Sequence, residues 1–237
     1  PVIQDDYDKE TSDAFELGFN SVLADGRLRL NGAIYHTKVT DMQFFEFYTG
    51  TFGILRVVSN IDKVRLMGAE LGVVWKVAPG FTLDAGGNVL DSKIITNSVR
   101  PDTEGNKSPY SADYTLNVGA SVIQPVSDRV DFTFRADYRL TGPTWFHVVQ
   151  DQQRRTIFDV FYPGLGTADY SQTRRDAYGI VNLRAGLKGE GWHLTGFVNN
   201  FFKKRYLEEV IPAPEFGGAF LTPGALRQIG VEAGFSF

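Results

Sequence analysis

The chain has 237 residues, 24 Lys and Arg against 28 Asp and Glu, a formal net charge of −4 and no cysteine. That charge balance argues against nucleic acid as a partner, and the lack of cysteine excludes disulfide frameworks and thiolate metal sites. No apolar run approaches the roughly 20 residues of a membrane-spanning helix, which leaves a membrane β-barrel open. Hydrophobic residues make up 43%, enough for a core. The 19 Phe and 10 Tyr favour strands, and the 25 Gly suit tight turns. The chain opens on Pro1 with neither initiator Met nor signal segment, so a piece of a longer protein is expected.

Alternation with a period of two then recurs along the chain. Phe15, Leu17 and Phe19 alternate with Glu16, Gly18 and Asn20. After the turn Ala24–Gly26, Leu28, Leu30, Gly32 and Ile34 alternate with Arg29, Asn31 and Ala33. Met67, Ala69, Leu71, Val73 and Trp75 oppose Gly68, Glu70, Gly72 and Lys76. Beyond Ala78–Gly80, Phe81, Leu83, Ala85 and Val89 oppose Thr82, Asp84 and Asn88. Leu116, Val118, Ala120 and Val122 form the next apolar face, and after Gln124–Asp128 come Val130, Phe132, Phe134 and Ala136, against Asp131, Thr133, Arg135 and Asp137. Val181, Leu183, Ala185 and Leu187 lead through Lys188–Gly191 to Trp192, Leu194, Gly196 and Val198. The last run, Ile229, Val231, Ala233, Phe235 and Phe237, completes nine predicted strands.

A soluble sandwich and a membrane barrel share this alternation, but their connections differ. Here short ones (23–27, 78–80, 124–128, 188–191) alternate strictly with long ones (about 42–62, 92–113, 139–176, 201–225). Tight turns at one end and long loops at the other are the asymmetry of outer-membrane barrels; a Greek-key sandwich scatters its loops. The clearest runs cover about 9 residues, near what a tilted strand needs to cross a bilayer. None of the nine apolar runs named above carries Lys, Arg, Asp or Glu, and Trp75, Phe81, Trp192 and Phe237 gather at the short-turn end, where an interfacial girdle would sit. The expected fold is all-β: an antiparallel up-and-down transmembrane barrel.

Three stretches carry a family resemblance. Glu10–Gln43 resembles the strand–turn–strand of TonB-dependent outer-membrane receptors, with Asn20 where the family usually has Lys. "VNNFFKKRY", Val198–Tyr206, is similar to the family's "N-L-F-D-x-x-Y", matching at Asn200, Phe202 and Tyr206 but with Lys203 in place of Asp or Asn. "GALRQIGVEAGFSF" resembles the family's closing strand. The resemblance implies a plugged barrel of about 22 strands, of which these would be the fourteenth to the twenty-second. Residues 1–237 would then be its C-terminal part, without plug domain or N-terminal strands, and Pro1–Ser12 would belong to an extracellular loop. It further implies a bacterial outer-membrane location and a TonB complex acting through the missing plug. Partners would be outer-membrane lipid, the barrel assembly machinery reading Phe237, and a small ligand, most often a ferric siderophore. Other cargo (cobalamin, a saccharide, an aromatic compound) stays open.

Under this reading Glu16, Arg29, Glu70, Asp84, Arg135, Asp137, Arg184 and Glu232 line the lumen and face the plug; the alternative is simple solvation. Ligand contact is expected in the loop Arg139–Arg175, from Trp145, Phe146, Phe158 and Tyr162 with Arg154 and Arg155. Guanidinium groups hold anions, and aromatic faces stack on planar groups. Phe44 and Phe45 form a second cluster; in both, the alternative is that the rings pack the loop on itself. No cofactor is expected: His36, His147 and His193 are too dispersed for a metal or triad motif. Asp5–Glu10 and Asp102–Asn106 lack EF-hand spacing. A passive porin and a barrel phospholipase remain as competing functions, the latter without an evident serine–histidine pair.

Overall fold

The computed structural model describes residues 6–50, 53–155, 159, 162–164, 166–213 and 218–236. Strand β1 is Thr11–Leu23, β2 Leu28–Gly50, β3 Gly53–Ala78, β4 Phe81–Thr96, β5 Tyr114–Ser127 and β6 Val130–Thr141. The next connection holds β7 (Thr144–Trp145), β8 (Gln153–Arg155), β9 (Thr167–Asp169) and β10 (Arg174–Arg175). Then come β11 (Tyr178–Gly189), β12 (Trp192–Asn199), a loop hairpin of β13 (Leu207–Ala213) and β14 (Gly218–Pro223), and β15 (Gln228–Phe235). The nine long strands form one antiparallel sheet in the order β1-β2-β3-β4-β5-β6-β11-β12-β15. This is the expected meander, and the sheet does not close on itself.

The four predicted tight turns lie at one end. Gly26, Gly80 and Gly191 take φ of +81°, +73° and +72° there, the left-handed region that glycine enters without strain. At Gly80 a Cβ would also strike the Ile123 carbonyl of the neighbouring hairpin.

Register unifies the alternation. Opposed residues of an antiparallel ladder share a face, and Leu17 faces Ile34, which faces Ala69, which faces Val89. The sequence continues through Ala120 with Ala136, Leu183 with Val198, and Val198 with Ile229. As far as the described residues reach, all nine predicted apolar runs therefore fall on one face. All eight charged residues expected in the lumen fall on the other.

Two expectations change at the long-loop end. Residues 42–62 are not a loop: β2 and β3 continue in register to Gly50 and Gly53 as a tall hairpin. Residues from Thr11 onward belong to β1 rather than to a preceding loop. The alternation that identified these strands fails above residue 40 because Asp41 takes φ +55°. Val39 and Phe44 have opposite parity, as have Val64 and Ile61, yet all four are buried in one cluster. The left-handed residue rotates the upper hairpin, and its carbonyl accepts from Asn60 Nδ2 at 2.7 Å.

Candidate functional site

The charged face separates into two groups. On β4, β5 and β6, Arg135 donates from Nη1 and Nη2 to Asp84 at 2.9 and 3.2 Å. Its Nε donates to Asp137 at 3.1 Å, Nη2 lies 2.6 Å from the other Asp137 oxygen, and Nη1 donates to Ser121 at 2.7 Å. These contacts engage the five N–H donors of the guanidinium in its fixed fork geometry. Gly119 makes the room: a Cβ there would sit 2.5 Å from both Arg135 Nη2 and an Asp84 oxygen. Arg184, directly across from Arg135 in register, turns toward Glu232 at 3.7 Å and lies 5.6 Å over the Phe197 ring. His193 approaches the same carboxylate at 3.4 Å. Glu16, Arg29 and Glu70 share the face but form no ion pair with any described residue. The sequence pointed to five of these partners, but not to Ser121, Gly119 or His193, whose part depends on cross-strand register.

At the long-loop end the connection from β6 to β11 folds over this same face. Val148, Val149, Ala168 and Tyr170 pack on Val39, Phe44, Ile61, Val64 and Ile94, the upper parts of β2, β3 and β4. Apolar burial here is what fixes the loop. Asn106 Nδ2 donates to the Val148 carbonyl at 2.7 Å, and Gln150 Nε2 to the Lys107 carbonyl at 2.6 Å, joining the β4–β5 loop to the same body. Glu104 accepts from Asn97 N at 3.0 Å, so its carboxylate serves a loop turn.

The ligand candidates divide accordingly. Phe44 and Phe146 are 6% and 3% exposed, their rings committed to packing, while Tyr162 is 69% exposed. Trp145 is half-buried, with Arg174 5.9 Å over its ring. Phe45 stands between Phe44 and Tyr110, and Tyr110 meets Phe146 edge-on at 5.3 Å. Arg175 then lies 5.3 Å over Phe146 and 5.0 Å over Tyr178. Arg154 and Arg155 stand on the short strand β8. Phe158 and Phe237 lie outside the described residues, as do the side chains of Arg154 and Arg155. No group of three or more His, Asp or Glu able to hold a metal occurs among the described residues.

His147 sits in this body, its Nδ1 accepting from Val149 N at 3.1 Å, with Phe44 edge-on at 5.8 Å and Tyr170 at 4.9 Å. Burial, then the nearby Arg100 charge, pushes its pKa down to about 3. In an opened loop an imidazole titrates near 6.5, so the open state binds a proton that the closed state refuses. The stability of the closed loop is thus complete above about pH 6.5 and declines as pH falls toward 3. Asp62 and Asp169, held below the usual carboxylate range chiefly by Ser98 and Ser171, lose their contribution only below about pH 4. Protection factors of amides in residues 145–150, observed exchange set against the intrinsic rate at each pH, are therefore expected to fall between pH 7.5 and 5, and His147→Gln to abolish that fall. An unchanged fall in the variant would assign the acid response elsewhere.

The motif Val198–Tyr206 now has a mechanical reason. Asn200, 4% exposed, accepts from Lys204 N at 2.8 Å and donates to the carbonyls of Lys204 and Ala225 at 2.8 and 3.1 Å. Tyr206 stacks on Tyr178 at 4.2 Å. Lys203 takes φ +56°, where Asn or Asp is less strained. Replacing Lys203 by Asn, which enters the left-handed region more readily, should stabilise the loop, seen as slower proteolysis; faster cleavage would contradict it.

Comparison with known proteins agrees with this architecture. The sequence profile of the TonB dependent receptor-like β-barrel matches residues 2–201. The chain belongs to the TonB-dependent receptor family. It is 33% identical over 199 residues to the pesticin receptor of Yersinia enterocolitica, covering 83% of this chain and 25% of that protein. The Yersinia pestis pesticin receptor is 27% identical over the same length. In fold it resembles the ferric yersiniabactin uptake receptor FyuA from Yersinia pestis, with a TM-score of 0.72 and 22% identity over 96% of this chain and 30% of that one. The copper transporter OprC gives 0.70 at 19% identity over 98% and 32%. The chain spans about a quarter of the curated relatives it matches. Those relatives are receptors and transporters by name, and barrels of this family are outer-membrane proteins; no helix among the described residues is long and apolar enough to cross a membrane.

Proposed function

We propose that this chain is the C-terminal wall, residues 1–237, of an outer-membrane receptor that imports a ferric siderophore. The plug domain and the preceding strands would come from the rest of a longer protein. In this reading the TonB complex moves the plug along the charged face of Glu16, Arg29, Glu70, Asp84, Arg135, Asp137, Arg184 and Glu232. Ligand arrives at the mouth, where Trp145, Phe45, Tyr162, Arg154 and Arg155 meet it and Phe44, Phe146 and Phe158 support or extend that surface. Phe237 serves as the signal for the barrel assembly machinery, and outer-membrane lipid bathes the apolar face. The observation that carries the reading is a charged wall beneath a loop body rich in aromatic and arginine side chains, in a chain of this family. The names of its fold relatives, several of them siderophore receptors, support the choice of cargo.

The test is uptake of radiolabelled ferric siderophore by cells expressing the full-length receptor under iron limitation. Uptake should require TonB, and Arg154→Ala/Arg155→Ala should weaken ligand binding about tenfold, as expected for losing one charge-assisted contact. Uptake that persists without TonB would instead make the protein a passive pore. TonB-dependent growth on another cargo, with no siderophore binding, would overturn the cargo assignment alone.

A further inference from the structure

The outward side of the tall hairpin carries a feature that neither the charged wall nor the mouth uses. Register aligns Asp13 with Lys38, Lys38 with Arg65 and Arg65 with Lys93 in one cross-strand row. By parity this row stands on the apolar face, two residues beyond His36 and Met67, where that face meets the long-loop end. Lys38 and Lys93 are exposed and form no ion pair with any described residue, while Arg65 contacts Asp91 at 2.5 Å. Lys107, paired with Asp113 at 2.5 Å, adds a fourth cation beside the row. Below it runs a groove of about 850 Å³ lined by Phe15, Leu17, Ile34, Met67 and Val89, which Lys107 and the carboxylates paired to these cations, Asp91 and Asp113, also line. The cations are local: at the same end of β5, β6 and β11 the outward residues are Tyr114, Tyr138, Leu140 and Val181.

We propose that this surface binds a phosphorylated, acylated lipid of the outer leaflet. An acyl chain occupies the groove, and a headgroup phosphate lies on Lys38, Arg65 and Lys93. Apolar contact alone would not call for cations at the upper edge, and a free anion would not call for the groove; one molecule carrying both chemistries fits both. Ammonium groups two strands apart, about 10 Å, with a guanidinium between them, offer a phosphate several donors at once. The proposal rests on the outer-membrane placement given above.

The test uses the full-length receptor in neutral detergent, with lipid A, dephosphorylated lipid A and inorganic phosphate as probes in native mass spectrometry. Each cation near such a headgroup contributes about fivefold, so Lys38→Gln/Arg65→Gln/Lys93→Gln should weaken lipid A binding roughly a hundredfold. Dephosphorylated lipid A should bind the unaltered receptor about as weakly, and millimolar inorganic phosphate should not displace lipid A. Should the triple variant lose its heat-modifiable mobility, Lys38→Gln/Lys93→Gln, both exposed, should still show about a 25-fold loss. Equal affinity of variant and unaltered receptor, or equal affinity for the dephosphorylated lipid, overturns the proposal. Displacement by inorganic phosphate overturns the lipid assignment in favour of a free-anion site. Cell fractionation tests the membrane placement separately, because affinity in detergent does not depend on it.

Discussion

Leu71→Arg should abolish assembly of the receptor, whereas Glu70→Arg, one residue away, should leave it assembled. Leu71 stands in the middle of the apolar face, between Gly32 and Gly87 in register. An arginine at the bilayer midplane of a barrel costs about 2–4 kcal/mol, and less near the interfaces. Gly32 and Gly87 carry no side chains that could shelter the new charge. Glu70 projects to the other face, opposite Ala33 and Asn88, and forms no ion pair with a described residue. Reversing its charge exchanges one solvated group for another. Heat-modifiable electrophoretic mobility of the full-length protein in the outer-membrane fraction distinguishes the two. Equal assembly of both variants would mean that the apolar face does not meet lipid.

That contrast depends on parity alone, and parity was the most legible property of the sequence. A barrel wall is polar on one face and apolar on the other over its whole membrane height. Each strand therefore declares its orientation without reference to its neighbours, and glycine-marked turns set the register. Above the membrane the same logic stops at Asp41. One residue in the left-handed region reverses the alternation, so residues 42–62 read as a loop although they are paired strands. Nothing local separates an Asp in a loop from an Asp that rotates a hairpin.

The site was less legible for a related reason. Arg135 and Asp137 lie on one strand and were visible together, but Asp84 is 51 residues away from Arg135 and Ser121 is 14. Their union depends on register across three strands. Aromatic residues in the long loops were visible as a composition; which of them are buried is decided by contacts between β2–β4 and a segment roughly a hundred residues later. Phe44 and Phe146 therefore resemble Tyr162 in sequence and differ from it in place. Asn200 was recognised by resemblance, and its hydrogen bonds to Lys204 and Ala225 supply the cause: it closes the turn that leads to Tyr206.

The mouth should respond to Ile94→Ala more strongly than to any change in its exposed rings. Ile94 is fully buried, packed among Val39, Val64, Val148 and Val149, where strand ends meet the folded loop. Truncating a buried Ile to Ala costs about 2–5 kcal/mol, the spread reflecting how far the site can collapse. The loss falls on the loop body rather than on the sheet, because Ile94 lies above the last of the apolar rows and the membrane-height ladder of β3 and β4 does not need it. Limited proteolysis should therefore cut within residues 142–177 much faster, while the barrel keeps its heat-modifiable mobility. Val118→Ala, on the apolar face and 40% exposed, serves as the control and should change neither. His147 belongs to the same packed body, so its acid response should couple to this change. Once Ile94→Ala has loosened the loop, lowering the pH from 7.5 to 5 should add little further cleavage, since neighbours in one cluster do not act additively. Unchanged protection in Ile94→Ala would show that hydrogen bonds from Asn106 and Gln150, not the apolar cluster, hold the loop over the mouth.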